Sequence, residues 1–212
     1  MLASLEQNAA LLSAADLNRA KHALIVLPKA ASLESLRGVP GVAALSAALS
    51  RRKKKLSDLA KSPLATDLAQ GTLVSWAMLD PAHSVFEQQT VLRKGLQLLL
   101  AERPEEIVIG VFGPAARRRR AAELAVYAAW VNGARLPARK KKPDGRALQS
   151  VRVFGYRAQD AYARQRAVAE GNLLCRELTV LPPNELTPGS YRKRLRELAK
   201  QRGWRLTEYD VK

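Results

Sequence analysis

The sequence predicts an α/β fold in which helices cover a sheet, and three observations carry that reading. Hydrophobic residues make up 47% of the 212 residues but aromatics only 5%. The core is therefore built from Ala, Leu and Val, small side chains that let helices sit close on a sheet. Short apolar runs alternate with stretches of helical periodicity between about residues 20 and 157. No internal repeat or long low-complexity linker interrupts that alternation. A chain of this length buries roughly 70% of its unfolded surface, which excludes disorder as an overall description.

Residues 1–20 read as an N-terminal extension and 21–157 as the α/β domain. His22 to Leu27 is a compact apolar run closed by Pro28, a buried strand. Val39-Pro40-Gly41 is a turn, and Val42 to Leu49 is a helix running into the polar stretch Ser50 to Lys55. Thr72 to Leu79 is a second strand, ended by Asp80-Pro81. Val91, Leu92, Leu96, Leu99 and Leu100 recur at helical spacing, so Thr90 to Ala101 is an amphipathic helix. Glu106 to Phe112 is nearly unbroken apolar sequence, the pattern of a strand covered on both faces. Gly113-Pro114 turns the chain into an Ala-rich helix from Ala115 to Val131. Asn132-Gly133 is expected to end it in the left-handed conformation those residues tolerate. Pro137 to Gly145 is a basic loop, and Ser150 to Tyr156 returns as a strand.

The last fifty residues have another character. Ala158 to Leu178 is a long helical pattern with Ala158, Ala161, Tyr162, Ala169 and Leu173 near one face, so 158–181 reads as a linking helix. Pro182-Pro183 ends it, because neither residue has an amide donor. Thr187-Pro188 is an N-cap followed by proline at the first helical position. The helix it opens is expected to bury Tyr191, Leu195 and Leu198 and to stop at Gly203. Trp204 to Val211 reads as one more strand, which makes 182–212 an incomplete βα unit. A lone strand and helix cannot bury their apolar faces, so either they pack back on the first domain or, the preferred expectation, this is the front part of a longer protein.

Composition also narrows function. Cys175 is the single cysteine, so no intrachain disulfide or cysteine zinc cluster can form, and a reducing, cytoplasmic setting is expected. His22 and His83 are the only histidines and have no partner at ligand spacing; they read as strand-end and loop residues. The stretch before Arg19 lacks the positive charge of a secretory signal. No run of eighteen apolar residues exists, and no membrane partner is expected. Cys175 lies beside Leu173 and Leu174 on a helical pattern, which points to a buried thiol and not a nucleophile.

The run from Arg176-Glu177-Leu178 through Pro182-Pro183-Asn184 to Thr187-Pro188 resembles the domain junction of the leucyl aminopeptidase (cytosol aminopeptidase) family. Eight of thirteen positions match, three of them prolines. The upstream order agrees: a strand ending near Gly110, an Ala-rich helix, a basic loop, another strand, then the long helix. The resemblance implies a macro-like N-terminal domain, a mixed sheet between helices, followed by the start of a catalytic domain. It implies a hydrolase that removes N-terminal amino acids from peptide substrates with two divalent metal ions, zinc or manganese. It also implies a homo-oligomer of six subunits. The family's Asn-Thr-Asp-Ala-Glu-Gly-Arg motif is absent, so no catalytic and no metal-binding residue is assigned in this chain, and the chain alone is expected to bind no metal. Pro182-Pro183-Asn184 is read as a rigid loop that positions a neighbouring domain, with the Asn184 amide folding back onto nearby backbone.

The charge supplies a second reading. Thirty-six Lys and Arg against 19 Asp and Glu give a net charge of +17, a field that attracts polyanions. Three dense runs stand out: Arg51 to Lys55; Arg117, Arg118, Arg119 and Arg120; and Arg139, Lys140, Lys141 and Lys142. The last two are the candidate polyanion-binding residues, with nonspecific DNA as the partner held by its phosphates. Some bacterial members of the family do bind DNA. No aromatic residue interleaves with the runs, which argues against base stacking. No helix-turn-helix or zinc-finger spacing is present. A third reading, suggested by the macro-like resemblance, is a nucleotide module for ADP-ribose. Its candidate phosphate loop is Gly110-Val-Phe-Gly113-Pro114, where a tight strand-to-helix turn is the competing explanation.

Overall fold

The run at residues 22–28 becomes the middle of the sheet because it is apolar on both faces. In the computed structural model, which describes residues 2–137 and 146–209, it forms β2 (His22–Pro28). Its neighbours are β4 (Leu73–Leu79) and β5 (Glu106–Val111), both parallel to it. β6 (Ser150–Phe154) lies parallel outside β5. The six-stranded order is completed by β1 (Ser4–Asn8) beyond β6 and by β3 (Leu64–Asp67), antiparallel to β4, at the other edge. The sheet is therefore mixed, as the resemblance implied.

Two apolar layers follow from alternation along the strands. Leu24 and Val26 of β2, Ile107, Ile109 and Val111 of β5, and Val151 and Val153 of β6 face one layer. That layer is covered by α3 (Val85–Leu100), α4 (Ala115–Gly133) and α5 (Ala163–Thr179). Ile25, Leu27, Trp76 and Val108 face the other. There α1 (Ala14–Arg19), α2 (Val42–Arg51) and two short 3₁₀ turns, Leu33–Leu36 and Leu56–Ala60, close the core. α4 shows why the composition is Ala-rich: Ala121, Ala122, Ala125, Ala128 and Ala129 bring its backbone close to the strands. Helix α3 starts with a reciprocal Ser84–Glu87 capping box.

Several expectations are corrected. Residues 1–20 are not a separate extension, because Ser4 to Asn8 pair in register with Ser150 to Phe154 and the Trp130 indole donates to the Ala3 carbonyl at 2.9 Å. Helix α4 runs to Gly133, which has no left-handed backbone. A Cβ there would stand 2.7 Å from Leu148 Cβ, so glycine serves close packing and not a helix stop. The long helix begins at Ala163, not Ala158. Ala161 and Tyr162 adopt φ of +48° and +60°, and the Asp160 carboxylate accepts from the Tyr162 amide at 3.1 Å. That turn drives the Tyr162 ring into the core.

Helix α6 (Pro188–Arg202) begins and ends where expected, with the Thr187 hydroxyl capping Ser190 N and Gly203 at φ +67°. It buries only Ala199, leaving Leu195 and Leu198 half-buried and Tyr191 41% exposed. Residues 204–209 form no strand. A strand exists through a pairing partner, and this segment has instead folded onto α6, where Glu208 pairs with Arg192 and Arg196. Cys175 is exposed; two positions past Leu173, it lies about 200° around the helix from the buried stripe. Among the described residues no helix is long and apolar enough to cross a membrane.

Candidate functional site

Four arginines in a row on a helix do not make one patch. Successive side chains point about 100° apart, so Arg117 to Arg120, in the first turns of α4, spread around the helix. Arg119 and Arg120 turn into a cleft, and both approach Glu123, at 2.9 and 3.9 Å. Arg117 and Arg118 do not line it. The Arg51 to Lys55 run follows α2, on the opposite face of the sheet. Arg139, Lys140, Lys141 and Lys142 lie outside the described residues. The runs legible in sequence are therefore not the assembled feature.

That feature is the cleft itself, about 1420 Å³, cut between α3, α4, α5 and the loop after β6. Three helical stripes build it. Phe86, Gln89 and Arg93 recur on α3, Arg120, Glu123 and Tyr127 on α4, and Arg164, Val168 and Asn172 on α5, each at the three- or four-residue spacing that puts side chains on one face. The loop adds Tyr156 and Arg157. Because α3 and α4 follow parallel strands, their N-terminal halves and the loop after β6 all lie at the carboxyl ends of the strands. Open α/β sheets place ligands at that end. Six arginines face two carboxylates, Glu123 and Asp160. Aromatic rings absent from the basic runs in sequence, Phe86, Tyr127 and Tyr156, stand beside Arg119 and Arg120 in space.

The walls are tied together. The Gln89 amide donates to the Leu124 carbonyl at 3.2 Å, joining α3 to α4. Arg176, the first residue of the junction motif, donates to the Val131 carbonyl at 2.7 Å and so fastens α5 to the end of α4. Tyr156 and Tyr162 meet edge to face with centroids 6.4 Å apart. Burial pushes the Tyr162 phenol far above its ordinary range. Beyond α5, the Pro182 carbonyl accepts from the Glu185 and Leu186 amides. The Ser190 hydroxyl also donates to the Glu185 carbonyl at 2.7 Å, and among the described residues the Asn184 side chain makes no hydrogen bond.

The other candidates resolve simply. The Gly110 to Pro114 segment is a strand-to-helix turn whose interior is occupied: a Cβ on Gly113 would stand 2.9 Å from Pro28 Cβ, so no phosphate cradle is open there. His22 begins β2, with Nε2 2.8 Å from a Glu102 carboxylate oxygen, and His83 lies in the turn before α3.

No family model and no curated protein matches the sequence, but solved structures do. The tomato leucine aminopeptidase, in a K354E mutant form, superposes with a TM-score of 0.69 at 15% identity over 95% of this chain. The chain has the leucine aminopeptidase fold. Leucyl aminopeptidase from Leishmania major follows, with a TM-score of 0.59 at 18% identity over 95% of this chain. The bottromycin maturation enzyme BotP shares the fold at 22% identity, with a TM-score of 0.56 over 87% of this chain. In each case less than half of the other protein is covered: 43%, 40% and 38% respectively.

Proposed function

We propose that this chain is the N-terminal, non-catalytic portion of a leucyl-type aminopeptidase, a cytoplasmic hydrolase that removes N-terminal amino acids from peptides. The observation that carries the proposal is the fold, shared over 95% of this chain but 43% of the tomato enzyme. The junction motif from Arg176 to Pro188 supports it independently. In this reading α5 and the turn at Pro182 hold a catalytic domain, and the whole protein assembles as a hexamer. Two divalent ions, zinc or manganese, would belong to that domain. The described residues offer them no site: no three His, Cys, Asp or Glu side chains gather there. The chain's own contribution is mechanical. Arg176 fixes the linking helix on α4, and Glu177 and Glu170 reach Arg194 and Arg202 of α6 at 3.4 and 3.3 Å.

The test is direct. The purified 212-residue chain should leave leucine amides uncleaved with zinc or manganese, and the gene's longer product should hydrolyse them. A stop codon immediately after Lys212, or hydrolysis by the chain alone, overturns the proposal.

A further inference from the structure

The cleft between α3, α4 and α5 has no role in the aminopeptidase reading, yet its lining is chemically selective. Among the described residues, Arg93, Arg157 and Arg164 make no ion pair, although they converge on the space that Arg119 and Arg120 also face. Six arginines against the two carboxylates Glu123 and Asp160 leave the lining with an excess of positive charge, and guanidinium groups in such excess repel one another. An anion entering between them relieves that repulsion and accepts several charge-assisted hydrogen bonds at once. Planar guanidinium forks match phosphate oxygens well. The same cleft exposes apolar surface on facing walls: Phe86, 80% exposed, and Val85, 51%, on α3, and Val168, 52%, on α5. Exposed rings beside arginines are a stacking surface for a flat aromatic group.

We propose that the cleft binds a nucleoside polyphosphate, its phosphates held by Arg93, Arg120, Arg157 and Arg164 and its base laid on Phe86. A volume of about 1420 Å³ exceeds the roughly 300–1,000 Å³ of a drug-sized pocket, so such a ligand enters with part of its hydration. The site is separate from the Gly110 to Pro114 turn, and it stands whether or not the aminopeptidase reading does.

The experiment is calorimetric titration of the 212-residue chain with ATP, inorganic triphosphate, adenosine and a twelve-nucleotide single-stranded DNA at low salt. ATP is expected to saturate one site and adenosine to bind undetectably. Arg157→Gln with Arg164→Gln should weaken ATP at least about tenfold, that is about 1.4 kcal/mol. Phe86→Ala should weaken ATP severalfold and leave triphosphate unchanged. All three positions are exposed, and matched melting temperatures confirm folding of the variants. No ATP binding up to about 1 mM, ATP binding indifferent to the paired arginine variant, or binding of the oligonucleotide without ATP each overturns the proposal. An ATP affinity that Phe86→Ala leaves unchanged overturns the placement of the base.

Discussion

Replacing Gly155 by alanine tests whether the loop after β6 is shaped by close backbone contact. Gly155 adopts φ +98°, and a Cβ there would stand 2.3 Å from the Val111 carbonyl oxygen and 2.9 Å from Val111 Cγ2. Real Cβ contacts do not fall below about 3 Å, so β5 or the loop must move. Its amide also donates to the Asn8 and Ala10 carbonyls, at 3.1 and 2.7 Å, and a shift weakens both bonds. Backbone strain of this kind costs about 1–3 kcal/mol and overpacking about 1–3 kcal/mol more. A loss near ~4 kcal/mol lowers the melting temperature of a chain this size by roughly 8–16 °C. Gly171→Ala is the matched comparison, because it adds the same methyl in the middle of α5 with nothing within 4 Å. That change should stabilise the protein by about 0.5–1 kcal/mol, the helix preference for alanine. Scanning calorimetry of the two proteins side by side decides the matter. If Gly155→Ala melts within about 2 °C of the parent, under 1 kcal/mol, the packing argument fails. It also fails if the two substitutions act in the same direction.

Three other outcomes follow from named contacts. Arg176→Met removes the charged donor to the Val131 carbonyl and should lower the urea midpoint by about 1.5–3 kcal/mol of stability, with faster amide exchange concentrated in α5. Removing residues 1–8 strips the edge strand and orphans the buried Trp130 N–H. Equilibrium unfolding should show a loss of at least about 1–3 kcal/mol and a red-shifted tryptophan emission, whereas a dispensable extension would change neither. Tyr162 is held neutral by burial, with its pKa above the unfolded value of 10.0. Its contribution is complete below pH 10 and declines as pH rises beyond it. Ultraviolet titration should show one of the five tyrosines failing to ionise until the protein unfolds, and Tyr162→Phe should abolish that late step.

The legible parts of the fold were those whose signal is apolar and local. β2, β4 and β5 are short, mostly apolar runs, and β6 (SVRVF) alternates Val with polar residues, so their burial follows from local sequence. β1 is SLEQN, with a single apolar side chain, and it belongs to the sheet through backbone pairing that no periodicity records. β3 has four residues, too few to show a period. The helix limits at Thr187 and Gly203 were readable because capping is chemistry confined to a few neighbours. The break before Ala163 was not, since it depends on Tyr162 finding a buried place made by distant residues. For the cleft, the basic runs pointed to Arg119 and Arg120 alone. Arg93, Arg157 and Arg164 are isolated in sequence and meet only once three helices lie side by side. A cue existed in the polar stripe of each helix, but a stripe shows which face is wet without showing which other stripe it will oppose.

The joint between α5 and α6 carries a mechanical consequence. α4 adheres to the sheet through alanines and a tryptophan, and prising it away would uncover the oily layer on that face. Among the described residues α6 fully buries Ala199 alone, and guanidinium–carboxylate struts from Glu170 to Arg202 and from Glu177 to Arg194 tie it to its neighbour. Struts of that kind loosen as dissolved ions accumulate around them. The molecule thus has a stiff block and a compliant arm, and the boundary between them falls at the proline turn.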